Sequence, residues 1–234
     1  MIVIHLQLDQ VKTVLNQKEL VKNISFSLHR GEVLALVGHN GAGKSTIMKT
    51  IMGMLEKREG KIKILQKFDQ DEQFVLFKKY ISYLPEEPML LTELTVLQHF
   101  QLYGMSYEIE EELFNQRLQY YLKGFELTTK LQAYPEELSK GMRQKVQTIC
   151  ALLPEVPVLL IDEPFMGLDI YAVDFLLKTI KEKVKLGTSI LLTTHQLDQL
   201  QSLADRYILL EQGKVKSEGA IDQFDTITRG YEDV

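Results

Sequence analysis

The sequence predicts an α/β fold: a parallel sheet interrupted by a helical insertion. Three observations lead there. Strand-like runs at residues 2–8, 24–28, 33–37, 80–84, 158–161, 189–193 and 207–210 recur along the chain, with helical segments between the later ones. The run Val33-Leu34-Ala35-Leu36-Val37 has no polar alternation, as expected of a strand buried on both faces. Residues 92–150 are rich in Glu, Gln and Leu, poor in β-branched runs, and mostly helical in pattern.

Each element has a local reason. Ile24, Phe26 and Leu28 alternate with Ser25 and Ser27, the pattern of a half-buried strand. His29-Arg30-Gly31-Glu32 makes a turn into the buried run. Ile47, Met48, Ile51, Met52 and Leu55 fall on one face of a helix. Pro85 stops the strand at residues 80–84. A helix opens near Ser139 and Gly141, with Met142, Val146 and Ile149 along one side.

Composition sets limits. Of 234 residues, 45% are hydrophobic and 25% charged, enough for a core of ordinary size. The net charge of −5 gives no general attraction to nucleic acid or anionic lipid. The single Cys150 has no intrachain disulfide partner and suits a small buried position in a reducing compartment. No signal peptide is expected at the N-terminus, and no stretch reaches the ~18 apolar residues that a membrane span needs. Any work at a membrane is therefore expected to pass through a partner.

Residues 38–46 read Gly38-His39-Asn40-Gly41-Ala42-Gly43-Lys44-Ser45-Thr46, matching G-x-x-x-x-G-K-[ST] between a buried strand and an amphipathic helix. Glycines let such a loop wrap phosphates with its N–H groups pointing inward. Lys44 is expected to reach the β- and γ-phosphates and Ser45 to hold Mg²⁺. Residues 158–164, VLLIDEP, place Asp162 and Glu163 at a strand's carboxyl end, where ligands of α/β sheets bind. Asp162 is expected to face the metal and Glu163 to polarise the attacking water. His195 ends another apolar strand, SILLTTH, and is expected to hold that water beside the γ-phosphate.

With the P-loop, LSKGM, LLIDEP, GLD and TTH in this order, nearly the whole chain resembles an ATP-binding cassette (ABC) ATPase. The resemblance implies a P-loop nucleotide core (1–84 and 154–234), an N-terminal antiparallel β portion, and a helical subdomain (85–153). It makes Ser139, Lys140, Gly141 and Met142 the signature, which caps ATP held by a second cassette, and Asp169 the D-loop acid, with Ile170 replacing the usual Pro. The partners implied are a second cassette and a transmembrane permease subunit at the inner face of the cell membrane; the cofactors are ATP and Mg²⁺. LSKGMRQKV and LPEEP are similar to exporter cassettes, no importer-like C-terminal domain is expected, and DEPFMGLD resembles the Ecs-type exporter group. The alternatives are a non-transport cassette acting on ribosomes or DNA, disfavoured by a single cassette and the negative charge, and an idle regulatory cassette, disfavoured by intact Lys44, Asp162, Glu163 and His195.

Two departures from the family pattern stand out. The residue after Pro85 is usually Gln, the sensor of metal and nucleotide; here it is Glu86, a further candidate metal contact. The aromatic that usually stacks on adenine is absent between Val11 and Asn23, where Val14 or Leu15 takes its place. Of the apolar residues after Pro85, Met89, Phe100 and Tyr103 are the expected contacts to the membrane subunit. Glu86→Gln is expected to keep substantial steady-state ATPase activity; total loss would mean that the carboxylate charge is itself required.

Overall fold

The structure is a computed structural model and describes residues 3–194 and 197–224. It opens with a hairpin, β1 (Ile4–Leu15) and β2 (Lys18–His29), turned by Asn16 and Gln17 at φ 48° and 65°. Both turn residues are left-handed, the geometry of a tight two-residue hairpin. These strands are longer than the sequence pattern suggests. Register shifts between Leu8 and Val11, and again up to Val14, break the two-residue alternation that would have marked them. β4 (Lys57–Ile64) and β5 (Phe68–Asp69) complete an antiparallel sheet in the order β2-β1-β4-β5. β4 gave little signal because its buried apolar residues are only Ile62 and Ile64.

The second sheet contains β3 (Val33–Val37), β6 (Ile81–Leu84), β7 (Val158–Asp162), β8 (Ser189–Thr193), β9 (Arg206–Glu211) and β10 (Lys214–Ala220). Its order is β10-β9-β3-β8-β7-β6, parallel except for β10 on β9. Every residue of β3, β7 and β8 is buried. Their alternate side chains feed two cores. Leu34, Leu36, Leu160 and Leu191 pack with the small sheet and α1 (Lys44–Ile51) on one face. Ala35, Leu159, Ile161 and Leu192 pack with helices on the other. A two-sided sheet needs apolar residues at every position, which is why these strands lack alternation.

α1 stops at Ile51, earlier than its apolar stripe, because Met52 caps it and Gly53 turns at φ 69°. α2 (Phe74–Lys79) precedes β6. Then come α3 (Val96–Ser106), α4 (Glu111–Gly124) and α5 (Lys140–Leu152). Thr95, Glu110 and Ser139 cap their first turns, satisfying N–H groups that would otherwise lack partners. α6 (Ile170–Lys185), capped by Asp169, and α7 (Leu197–Leu203) follow β7 and β8.

One expectation is corrected here. Phe100 is fully buried in the helical-side core, so it is no contact for a partner. Tyr103 packs against the same core and receives a long hydrogen bond from Gln147 Nε2 at 3.4 Å. Met89 does reach solvent, at 61% exposure.

Candidate active site

Parallel strands deliver the candidate site residues to one edge. β3 ends at Val37 and its chain turns into the Gly38–Gly43 loop; β7 ends at Asp162; β8 ends at Thr193, directly opposite Asp162 in the register. Gly43 stands at φ 112°, and a Cβ there would approach Leu20 O at 3.3 Å. Only glycine takes that conformation easily while β2 passes so close. Lys44 begins α1 and is buried, its Nζ donating to Gly38 O at 2.6 Å and His39 O at 3.4 Å. The ammonium is thereby held over its own loop. Burial pulls its pKa below the usual lysine range, opposed by the charges of Glu163, then Asp162, then Glu86. All three carboxylates thus act on the loop lysine, exposed Glu86 included.

Asp162 is buried. Oδ1 accepts from Thr193 Oγ1 at 2.5 Å, and Oδ2 faces Tyr83 OH at 3.4 Å. Burial first, then the Asp162 charge, pushes the Tyr83 phenol up, so it stays a donor at neutral pH. Glu163 takes the left-handed conformation at φ 47°, costly for a non-glycine residue. Its N–H donates to Thr193 O and Thr193 Oγ1, both at 3.1 Å. Thr193 therefore holds both acids at once. Ser45 is half-buried, and no hydrogen bond of its hydroxyl is found among the described residues. One carboxylate and one hydroxyl, with phosphate oxygens and water completing the shell, suit the hard-oxygen preference of Mg²⁺. His195 lies outside the described residues.

The expected signature, residues 139–142, lies at the start of α5. Ser139 and Lys140 are exposed, and Ser139 Oγ accepts from Met142 N at 3.2 Å. Among the described residues, no hydrogen bond or ion pair joins residues 139–142 to the 38–46 loop. Gly141 instead meets the segment before Asp169, where a Cβ would come within 2.6 Å of Gly167 O. Lys145, one turn into α5, pairs with Asp169 at 2.6 Å, and Asp169 also accepts from Ala172 N at 2.9 Å. These contacts, Lys145 first, hold the Asp169 carboxyl below the usual range.

Sequence reasoning missed Thr193, Tyr83 and Lys145. In the sequence Thr193 is only the end of a strand; its pairing with Asp162 becomes visible once the β7–β8 register is known. Thr193→Val removes the donor to Asp162 and an acceptor for the Glu163 N–H. It is expected to cost about 1–3 kcal/mol in urea unfolding and to lower ATPase kcat.

Comparison with known proteins identifies the family. A family model described as ABC transporter matches residues 21–166. The chain is 38% identical over 205 residues to the ABC-type transporter ATP-binding protein EcsA of Bacillus subtilis, covering 87% of this chain and 82% of that one. It is 32% identical over 205 residues to the SkfA peptide export ATP-binding protein SkfE of the same organism, covering 88% and 84%. A solved structure of an ATP-binding subunit of an ABC transporter superposes with a TM-score of 0.90 at 36% identity, covering 97% of this chain and 93% of that one. Loop, acidic strand end and relatives together make this chain a member of the ABC transporter family, an ATP-binding subunit with ATPase activity.

Proposed function

We propose that this chain drives export through a separate transmembrane subunit, by closing two cassettes head to tail around ATP and reopening them after hydrolysis. The observation that carries the reading is that buried Lys44, Asp162 and Glu163 all lie at or after the carboxyl ends of parallel strands in one sheet, while residues 139 and 140 stand exposed at the start of α5. The direction of transport draws on the likeness of LSKGM and LPEEP to exporter cassettes, and on SkfE, whose name describes peptide export.

In the proposed mechanism the N–H groups of residues 38–46 cradle the phosphates and Lys44 reaches the terminal ones. Ser45 and Asp162 would hold Mg²⁺, with exposed Glu86 a further candidate contact. Bound there, the ion would supply charge neutralisation for the transferring phosphoryl group. Thr193 keeps Asp162 aimed, while Glu163 accepts a proton from the attacking water and His195 steadies that water. Ser139 and Gly141 would close over ATP held by the other cassette. The chain works as two lobes, residues 1–84 with 154–234, and residues 85–153.

The partner would seat at Met89 and Leu91, 61% and 51% exposed. Their backbones are pinned from behind: Met89 N donates to Gln147 Oε1 and Leu91 N to His99 Nε2, both at 2.9 Å. Among the described residues no helix is long and apolar enough to cross a membrane, so the span belongs to that partner in this reading. A stoichiometric polytopic protein in mild-detergent purifications from native membranes supports it; ribosomal or DNA-repair proteins instead would overturn the transport role.

Glu163→Gln is expected to accumulate an ATP-bound dimer on size-exclusion chromatography with excess MgATP; a purely monomeric profile would refute the assigned role of Glu163 or the head-to-tail pairing. Leu15 lies at the hairpin turn, 46% exposed, five residues before Leu20, which lies against Gly43. It is the proposed adenine seat. Base–aromatic stacking is worth ~1–3 kcal/mol, so Leu15→Tyr should tighten ATP binding in titrations by roughly one to two powers of ten; equal affinities would contradict it.

A further inference from the structure

At the opposite end of the parallel sheet lies a second cavity, of about 590 Å³. Among the residues lining it, Pro157 and Thr188 immediately precede β7 and β8, and Arg30 lies in the turn before β3. The five-residue strands separate it from Asp162 by roughly 16 Å. The nucleotide chemistry therefore uses none of it.

Its charges are unevenly matched. Lys183, in the last turn of α6, is 9% exposed, and Nζ makes one long hydrogen bond, to Pro154 O at 3.3 Å. Among the described residues no carboxylate lies within 4 Å of that ammonium, although an ammonium carries three donors. Arg30, on the rim, packs its Nε within 2.8 Å of where a Cβ on Gly187 would sit. Its guanidinium has no hydrogen bond or ion pair among the described residues. The nearby acids are already engaged. Glu155 pairs with Arg117 at 2.9 Å, and Glu182 accepts from Tyr120 OH at 3.1 Å. His5 faces Pro157 O and Ser189 Oγ, and burial, its largest influence, holds the ring towards neutrality. Burial likewise pulls Lys183 down to about 8, opposed by Glu155. A buried ammonium is costly unless a counter-charge meets it.

We propose that this cavity binds a small anion carrying at least two oxyanion groups, carboxylate or phosphate, one on Lys183 and another on Arg30. Tyr120 and Tyr121 of α4 form the facing wall, so an occupant would tie α4 to α6 and give the ATPase a metabolite-sensitive second site.

The test is isothermal titration of citrate and of pyrophosphate into the full chain saturated with MgADP, so that the P-loop is filled. At pH 8, in buffers of different ionisation enthalpy, binding of either anion should be saturable at one per chain and should take up protons, because an anion raises the Lys183 pKa. Citrate alone would assign the carboxylate class and pyrophosphate alone the phosphate class. Lys183→Met should abolish binding. Arg30→Ala, which removes no hydrogen bond, keeps the test valid if the first variant misfolds, and should weaken binding at least about tenfold. Both variants should leave MgADP affinity unchanged. Unaltered binding in either variant, or no saturable binding of either anion, overturns the proposal and leaves Lys183 as a cap for the Pro154 carbonyl.

Discussion

The hydroxyl of Thr193 is the point on which the candidate site depends. It donates to Asp162 and lies beside the amide of Glu163, so one short side chain orients two consecutive acids. That is possible only because β7 and β8 run parallel with Asp162 opposite Thr193. The register is fixed in turn by burial on both faces: a one-residue slip would send every side chain of β7 and β8 into the opposite core. Packing in the two cores thus determines where the carboxylates stand.

The same edge concentrates destabilising features. Lys44 is buried, Asp162 and Glu163 are buried beside it, and Glu163 adopts a left-handed backbone. Isolated, each would be costly. The charges of Glu163 and Asp162 oppose the effect of burial on Lys44, but burial prevails. Such a concentration of costly features is typical of sites arranged for chemistry rather than for stability.

Much of this was legible from residues alone. The spans 33–37 and 189–193 match their strands residue for residue, and the loop lies where the motif predicts it. The illegible parts share a cause: their pattern depends on a partner in space. β1 and β2 are irregular because bulges reset their alternation, and β4 exposes most of its length. The Lys145–Asp169 pair joins residues twenty-four positions apart, with nothing local to announce it. Phe100 shows the converse error, a residue type favoured at interfaces that here fills the core.

The contact between Gly141 and the carbonyl of Gly167 affects how genetic data on this chain should be interpreted. A side chain at position 141 must displace that carbonyl, and with it the approach to Asp169. Loss of activity in a mutational scan at this position would therefore report on two loops at once. It would not measure a phosphate contact alone. Suppressors of such a variant should be sought first around residues 167–169, where the displaced backbone can be given room.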